Sequence, residues 1–222
     1  MIEENGELHD TRPIDLLFGI LKESTRVVIW RVLLPIALIS SLGSAATAQV
    51  TSIDTAHSKL LIRVSKSGVF SGFADNHEIE AQISQGSFDA KSGEARLSVD
   101  SHQMRVLDPK LPLDKRQQVQ ERMLGPEVLD SSRFPSITFE STRVEHRQEG
   151  TVIVEGRLSL HGVTKPVSVD AHVENGRYVG RFELKQTDFD ITPISIAGGT
   201  VKVKNELNIE FDIATLSGDK GD

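Results

Sequence analysis

The sequence predicts an all-β protein: an antiparallel sheet of about eight strands that can close into a barrel, with one short helix inserted. Apolar and polar residues alternate with a period of two from Ser58 almost to the end of the 222-residue chain. Each alternating run has only one apolar face, which is typical of antiparallel sheets because parallel sheets bury both faces. Glycine-containing turn signals separate the runs.

The alternating runs supply six strands, and two more are expected at residues 69–83 and 136–144. The apolar positions that share a face are, in chain order, Leu60, Ile62 and Val64; Ala95, Leu97 and Val99; Val152, Val154, Leu158 and Leu160; Val167, Val169, Ala171 and Val173; Tyr178, Phe182 and Leu184; and Val201, Val203, Leu207, Ile209, Phe211 and Ile213. Turns are predicted at Gly86, Ser92-Gly93, Gly150, Asn175-Gly176 and Gly198-Gly199. Closing eight such strands into a barrel would remove the exposed sheet edges.

One interruption in the alternation predicts the helix. Asp114 followed by Gln117 has the spacing of a helix N-cap with its capping glutamine, and residues 118–124 continue the helix. Its narrow apolar stripe consists of Val119, Met123 and Leu124. Gly125-Pro126 ends the helix, with one further turn expected at 127–130. We expect this helical insertion to cover one end of the barrel.

The first 48 residues are predicted to be a leader with a signal peptide, and residues 49–222 to be the barrel domain. The uninterrupted part of the only long apolar run, 32–42, is shorter than the roughly 20 residues that span a bilayer. Ala46 and Ala48 then occupy the small-residue positions of a cleavage site. We therefore predict cleavage after Ala48 and export of the mature chain.

Two alternatives stay open for the leader. Residues 1–25 carry six acidic side chains, whereas a signal peptide ordinarily begins with a short basic segment. Translation that starts nearer Val27 would remove this mismatch, and an uncleaved anchor is the second alternative.

The composition argues against several classes of protein. The chain has 25 Lys and Arg against 32 Asp and Glu, a net charge of -7, whereas nucleic-acid affinity depends on clustered cations. It has no cysteine, which excludes thiol nucleophiles, disulfides and thiolate-bound metal centres. With one Trp and one Tyr, a stacking platform for single-stranded nucleic acid is not expected.

The motifs that could carry catalysis are weak. No nucleophile-elbow, P-loop, H-x-H or H-E-x-x-H pattern occurs. Ser159 and His161 share one face of a predicted strand, and so do Asp188 and Asp190 near a turn. We interpret both pairs as solvated side chains and predict no catalytic residue, no metal site and no cofactor. A metal site assembled from distant histidines is the alternative left open.

The dry interior of the barrel is the predicted site. An eight-stranded barrel is just wide enough to be filled by side chains or to hold one slender ligand. At roughly 0.3 kcal/mol per heavy atom, a lipid of about 40 heavy atoms would bind with about −12 kcal/mol, which is nanomolar affinity. The predicted ligand-binding residues are Leu60, Ile62, Val64, Leu97, Val99, Phe139, Val154, Leu158, Leu160, Val169, Phe182, Leu184, Val203, Leu207, Ile209 and Phe211.

Two motifs resemble the YceI-like family. Residues 134–142, FPSITFEST, resemble its (F/Y)P-x-I-x-F-x-S stretch, and residues 156–167, GRLSLHGVTKPV, resemble its G-x-L-x-(L/I)-x-G-V-T-(K/R)-P-V hairpin. The opening of the mature chain, residues 54–70, also fits. In this hairpin Gly162 can take a positive φ, and Pro166, which lacks an N–H, belongs at the start or the edge of a strand.

The resemblance implies a lipocalin-like barrel in the periplasm that holds a long polyisoprenoid chain, such as an isoprenoid quinone. Some members of the family are found beside cytochrome b561-type membrane proteins, which implies an inner-membrane partner of that kind. The predicted function is therefore a non-catalytic carrier of a polyisoprenoid or another long-chain lipid, without nucleic-acid partners. The alternative is a structural or stress-related interaction protein whose barrel is packed solid.

Overall fold

The computed structural model describes residues 50–67, 76–89, 92–196, 198 and 201–216, so the predicted leader and its cleavage site lie outside the described residues. The strands are β1 (Val50–Ser67), β2 (His77–Glu80), β3 (Ile83–Asp89), β4 (Ala95–Asp100), β5 (Arg105–Val106), β6 (Ser136–His146), β7 (Thr151–Leu160), β8 (Val163–Glu174), β9 (Arg177–Lys185), β10 (Ser195–Ile196) and β11 (Val201–Thr215). The helix is α1 (Leu113–Leu124), and short 3-10 turns occupy Ser101–Gln103, Gln148–Gly150 and Gln186–Phe189.

Eight of the strands form a closed antiparallel barrel. Around the barrel the order is β1, β11, β9, β8, β7, β6, β4 and β3, and β3 pairs with β1 again. On the same side of β1, β3 pairs with the beginning of β1 and β2 pairs with its later part. The short strands β5 and β10 pair with β2 and β11, respectively. The predicted fold class, an all-β barrel of eight antiparallel strands with a single helix, is confirmed.

The register of the strands places the predicted apolar faces inside the barrel. The pairs that lie opposite each other on β1 and β11 include Leu60 with Phe211, Ile62 with Ile209, and Val64 with Leu207. Side chains directly opposite each other share a face of the sheet. Both strands therefore direct these positions inward and their charged neighbours outward. Val173 is an exception, because it lies near the end of β8 and is 40% exposed.

On the outer face, one arginine joins three strands. The Nε of Arg63 on β1 donates to Oε1 of Glu210 on β11 at 2.9 Å, and its Nη1 donates to Oε2 of Glu78 on β2 at 2.5 Å. The hydrogen bond from Arg63 lowers the pKa of the Glu210 carboxyl. This contact fastens β1 to both of its neighbours at one level of the barrel.

Two predictions in the second quarter of the chain are wrong. The strand expected at 69–83 is not continuous, because β2 ends at Glu80 and β3 begins only at Ile83, and residues 69–75 of this prediction lie outside the described residues. Gly86 is not a turn residue, because it lies within β3, opposite Leu97 on β4. Its missing side chain has a packing reason, since a Cβ at Gly86 would lie 2.7 Å from Cδ1 of Ile53. Most of the other predicted turns hold, with positive φ at Gly93, Gly150, Asn175, Gly176 and Gly198.

The helix lies near its predicted place but has a different start. It begins at Leu113 after Pro112, and no side chain caps it, so Asp114 lies in the first turn rather than at the N-cap. An acidic residue there interacts favourably with the helix dipole. Gln120 joins the helix to the barrel, because its Nε2 donates to the Met104 carbonyl at 2.7 Å and its Oε1 accepts from the Val106 N–H at 2.8 Å.

The hairpin between β7 and β8 is closed by an unusual pair of residues. His161 and Gly162 both have positive φ, 51° and 78°. The ring centroids of Phe134 and His161 lie 4.7 Å apart. A Cβ added at Gly162 would lie 2.6 Å from the Phe134 ring. The His161 Nδ1 lies 3.1 Å from the Phe189 carbonyl oxygen. The turn therefore consists of His161 and Gly162, the first residue of the G-V-T-K-P motif, and it packs against an aromatic ring, while Val163 to Pro166 begin β8.

The wall of the barrel is incompletely hydrogen-bonded between β8 and β9. Their ladder covers only Asp170–Glu174 of β8, opposite Arg177–Arg181 of β9. We call the remaining boundary, between residues 163–169 and 182–185, the seam. Pro166 lies in this stretch, in agreement with the prediction of an edge position. The 3-10 turn that follows β9 contacts both strands, and its Phe189 is almost completely buried.

The turn geometry predicts unequal effects of two glycine substitutions. Gly162→Ala should lower the free energy of unfolding by about 2–3 kcal/mol, because it combines a strained φ with displacement of Phe134. Gly176→Ala has a similar φ but nothing within 4 Å of its added Cβ, so the loss should be about 1 kcal/mol. Urea denaturation measures both values, and equal losses would show that the ring contact contributes nothing.

The alternating inward and outward side chains of β7 predict that substitutions at two neighbouring positions affect stability unequally. Leu158→Asp should lower the free energy of unfolding by about 3 kcal/mol, since it places an unpaired carboxylate in the apolar interior. Arg157→Asp on the outer face should change it by less than about 1 kcal/mol, because the side chain is exposed and pairs weakly with Glu140. Comparable destabilisation by the two substitutions would mean that the strand faces are reversed.

Candidate functional site

The barrel encloses a cavity of about 830 Å³. This volume lies in the range of roughly 300–1,000 Å³ that is typical of ligand-binding pockets. Along β7 the lining extends from Val152 to Leu160. At 3.3 Å per residue this is about 26 Å along the strand, or about 20 Å along the barrel axis for an ordinary strand tilt. The cavity therefore suits a slender ligand.

All sixteen residues predicted to contact a ligand line this cavity. Their position on the wall follows from the alternation, since they belong to the inward faces of the barrel strands. That they touch a bound molecule stays a prediction.

The cavity also has lining residues outside the predicted ligand-binding set. One group lies on the inward faces of strands and shares the period-two signal: Ile53, Ile79, Ile83, Phe88, Ile137, Val144, Val152, Val167, Ala171, Tyr178, Val201 and Ile213. A second group lies in α1 and in the loops that close the barrel: Met104, Leu111, Val119, Met123, Val128, Leu129, Ile191 and Ile194. Alternation places half of the first group on an apolar face and could have identified the rest. In the second group the helix stripe is predicted, but the loop residues are brought to the cavity only by tertiary packing.

Glycines on the inner wall explain why the barrel is hollow although it contains aromatic rings. A Cβ at Gly156 would lie 2.4 Å from the Phe139 ring, and one at Gly180 would lie 2.5 Å from the Phe211 ring. Each ring therefore occupies the space of an absent side chain and packs against the wall. Gly86 accommodates Ile53 in the same way. Large side chains cover the wall without filling the interior.

The two ends of the cavity differ in chemistry. At the end covered by α1, which we call the helix end, the lining includes polar side chains from β1, β2 and α1: Lys66, His77, Lys115, Gln118, Glu121 and Arg122. The opposite end is lined by Phe88 and Tyr178, whose ring centroids lie 5.1 Å apart, together with His146 and Thr215. Between the two ends the wall is almost entirely apolar.

A hydrogen-bonded His–Asp pair connects β2 with the loop before α1. The Nδ1 of His77 lies 2.5 Å from Oδ2 of Asp108, and Oδ1 of Asp108 accepts from the Glu78 N–H at 2.9 Å. The Asp108 side chain is only 5% exposed. Glu78, the next residue, turns outward to Arg63. His77 and Glu78 thus point to opposite sides of the strand, as their adjacency predicts.

The weak catalytic candidates are not assembled into a site. His161 lies in the turn and not on the strand, so it does not share a face with Ser159, whose Oγ is 2.7 Å from Oγ1 of Thr164. Asp188 lies in a 3-10 turn and Asp190 follows it with positive φ, so their predicted position on one strand face is wrong.

Among the residues that the structure describes, no three acidic or histidine side chains are grouped to hold a metal ion. Within the same ranges, none of the helical segments could span a lipid bilayer.

Comparison with known proteins gives consistent matches. A family model described as "YceI-like domain" matches residues 52–215. A UPF0312 protein of Vibrio parahaemolyticus is 27% identical over 191 residues, which cover 80% of this chain and 93% of the relative. A UPF0312 protein of Shewanella baltica is 27% identical over 142 residues, which cover 61% and 67%. The crystal structure of Burkholderia cenocepacia BcnA matches with a TM-score of 0.55 at 20% identity, covering 72% of this chain and 98% of that one, and supports the fold.

The burial of Tyr178, at the end of the cavity opposite the helix, predicts an unusually high pKa for its hydroxyl. Burial raises the pKa of the Tyr178 hydroxyl above its ordinary value of 10.0, because the phenolate is poorly solvated there. The neutral phenol is therefore favoured in the folded chain, and stability should fall as the pH rises through this raised pKa. Tyr178 is the only tyrosine in the sequence, so near-ultraviolet absorbance reports it directly. The midpoint should lie above 10 in the folded protein and return to about 10 in urea. A midpoint at or below 10 in the folded protein would show that the hydroxyl is solvated.

Proposed function

The chain belongs to the YceI-like family of barrel-shaped binding proteins, and we propose that it is a non-catalytic carrier of a polyisoprenoid or another long-chain lipid in the periplasm. The observation that carries this proposal is the continuous cavity of about 830 Å³, lined by apolar side chains of all eight barrel strands. A ligand held in such a cavity must itself be apolar over most of its length.

Apolar contact is sufficient for tight binding. Burial of one CH₂ group contributes about 0.8 kcal/mol, and even the lower yield of large ligands, roughly 0.3 kcal/mol per heavy atom, reaches nanomolar affinity for a long chain. A long apolar tail would restore the dispersion contacts that the lining lacks when the interior is empty.

The hollow interior disfavours the alternative of a solidly packed structural barrel. In such a barrel, large inward side chains would meet at the axis, whereas here Phe139 and Phe211 pack over Gly156 and Gly180 at the wall. Most polar lining residues lie at the two ends of the cavity, away from its apolar middle. This arrangement favours binding over catalysis.

The predicted leader supports the proposed location. A chain exported after cleavage at Ala48 would meet lipids in the aqueous space between two membranes, where an apolar cavity shields an insoluble molecule from water. A cytochrome b561-type protein of the inner membrane is the proposed partner, and an isoprenoid quinone is the ligand that such a partner would share with the carrier.

Blocking the cavity tests the proposal. Val154→Trp places a large ring in the interior, and Ile153→Trp places the same ring on the outer face of the same strand as a control. In native mass spectrometry with an added long-chain quinone, the wild-type protein and the control should bind one molecule, and Val154→Trp should bind at least tenfold more weakly. Organic extraction of the protein purified from its own host should release a long-chain lipid. Absence of lipid in the extract together with no uptake of quinone by the wild-type protein would overturn the proposal.

A further inference from the structure

We propose that the helix end of the cavity binds an anionic head group, so that the preferred ligand is a long-chain lipid that ends in a phosphate or a carboxylate. This inference rests on the proposed carrier function and adds the chemical class of its ligand. It comes from the distribution of charge along the cavity.

The Lys, Arg and Glu side chains of the lining, among the residues that the structure describes, all lie at the helix end. Lys66 comes from the end of β1, and Lys115, Glu121 and Arg122 come from α1. The lining of this end thus includes three cationic side chains and one anionic side chain, although the whole chain carries a net charge of -7. The opposite end contributes the neutral hydroxyls of Tyr178 and Thr215 and the imidazole of His146. The cavity is therefore polarised along its length.

The helix presents its cations on one face. Lys115, Gln118 and Arg122 follow one another at i, i+3 and i+7, which aligns their side chains along the helix. On the same side, Val119 and Met123 pack against the hydrophobic core and fix the orientation of the helix over the cavity. The cationic groups are thus held at the boundary between the apolar lumen and water.

These side chains are available to a ligand. In the part of the chain that the structure describes, the side chains of Lys115 and Gln118 make no hydrogen bond or ion pair. Arg122 pairs only with the exposed Glu127, at 3.4 Å. An exposed pair of this length contributes little to stability and is easily exchanged for another anion. A phosphate or carboxylate at this point can accept hydrogen bonds from an ammonium, an amide and a guanidinium.

The apolar middle of the cavity determines the orientation of such a ligand. Moving an ionised group into the apolar wall region is strongly unfavourable, so the head group stays at the helix end, where water and cations solvate it. The tail then extends toward Phe88 and Tyr178 at the opposite end. Charge attraction acts on the head and hydrophobic burial acts on the tail, so one ligand satisfies both parts of the cavity.

Matched probes test the inference. Equilibrium binding of a polyprenyl phosphate is compared with that of the polyprenol of equal length, and a fatty acid is compared with its fatty alcohol. The wild-type protein should bind the anionic member of at least one pair about tenfold more tightly, and the pair that shows the preference identifies phosphate or carboxylate as the head group. Added salt should weaken the binding of the anionic ligand and leave the affinity for its neutral counterpart unchanged.

Three variants assign the preference to the helix end. Lys115→Gln combined with Arg122→Gln should reduce the preference to about twofold or less, with unchanged binding of the neutral lipid as evidence of an intact cavity. Lys59→Gln combined with Arg157→Gln removes two cations from the outer face and should keep the full preference. Glu121→Gln removes the opposing charge and should increase the preference a few fold.

The outcomes separate this inference from the carrier function. Equal wild-type affinity for charged and neutral lipids would overturn the inference and leave the carrier function standing. A preference that persists in the Lys115→Gln, Arg122→Gln variant would also overturn it. Failure of all four lipids to bind would overturn the carrier function, and the inference with it.

Discussion

The pairing of β1 with β11 is the interaction on which the rest of the structure depends. These strands lie far apart in the sequence, yet their register extends from Ile53 opposite Thr215 to Ser67 opposite Lys202. Their ladder joins the first and last strands of the sheet and so closes the barrel. Without it the sheet would have two open edges and a wet inner face. Closure makes an interior that is both dry and large enough to hold a ligand.

A closed barrel with a hollow interior gives up packing energy, and the structure limits this loss at its wall. Interior voids deprive their lining of dispersion contacts. Phe139, Phe211 and Ile53 recover part of these contacts by packing over Gly156, Gly180 and Gly86. The same glycines therefore serve stability and function: they let large apolar groups cover the wall, and they leave the axis to a guest.

The sequence predicts the strand faces well, because a period of two is a property of the extended backbone itself. This is why Leu60, Leu158 and Ile209 could be assigned to the cavity wall before the fold was known. The alternation of apolar and polar residues does not reveal features that depend on packing between residues distant in the sequence. Gly86 has the composition of a turn but lies within a strand under Ile53, and Asp114 has the spacing of a cap but follows a start at Leu113. Likewise, residues such as Leu129 and Ile191 reach the cavity from loops that have no periodicity.

The seam between β8 and β9 has a consequence for the range of guests that one barrel accepts. Between β6 and β7, between β7 and β8, and between β9 and β11, backbone ladders run along most of the shared length, so hydrogen-bond geometry fixes the spacing of these strands. Along residues 163–169, β8 has no ladder to β9, and the 3-10 turn that carries the buried Phe189 lies against both strands. Spreading the wall at this point breaks side-chain contacts but no ladder bonds, and side-chain contacts are individually weak. We therefore expect the barrel to widen more easily at the seam than between strands joined by long ladders, which would let one scaffold accept occupants of different thickness.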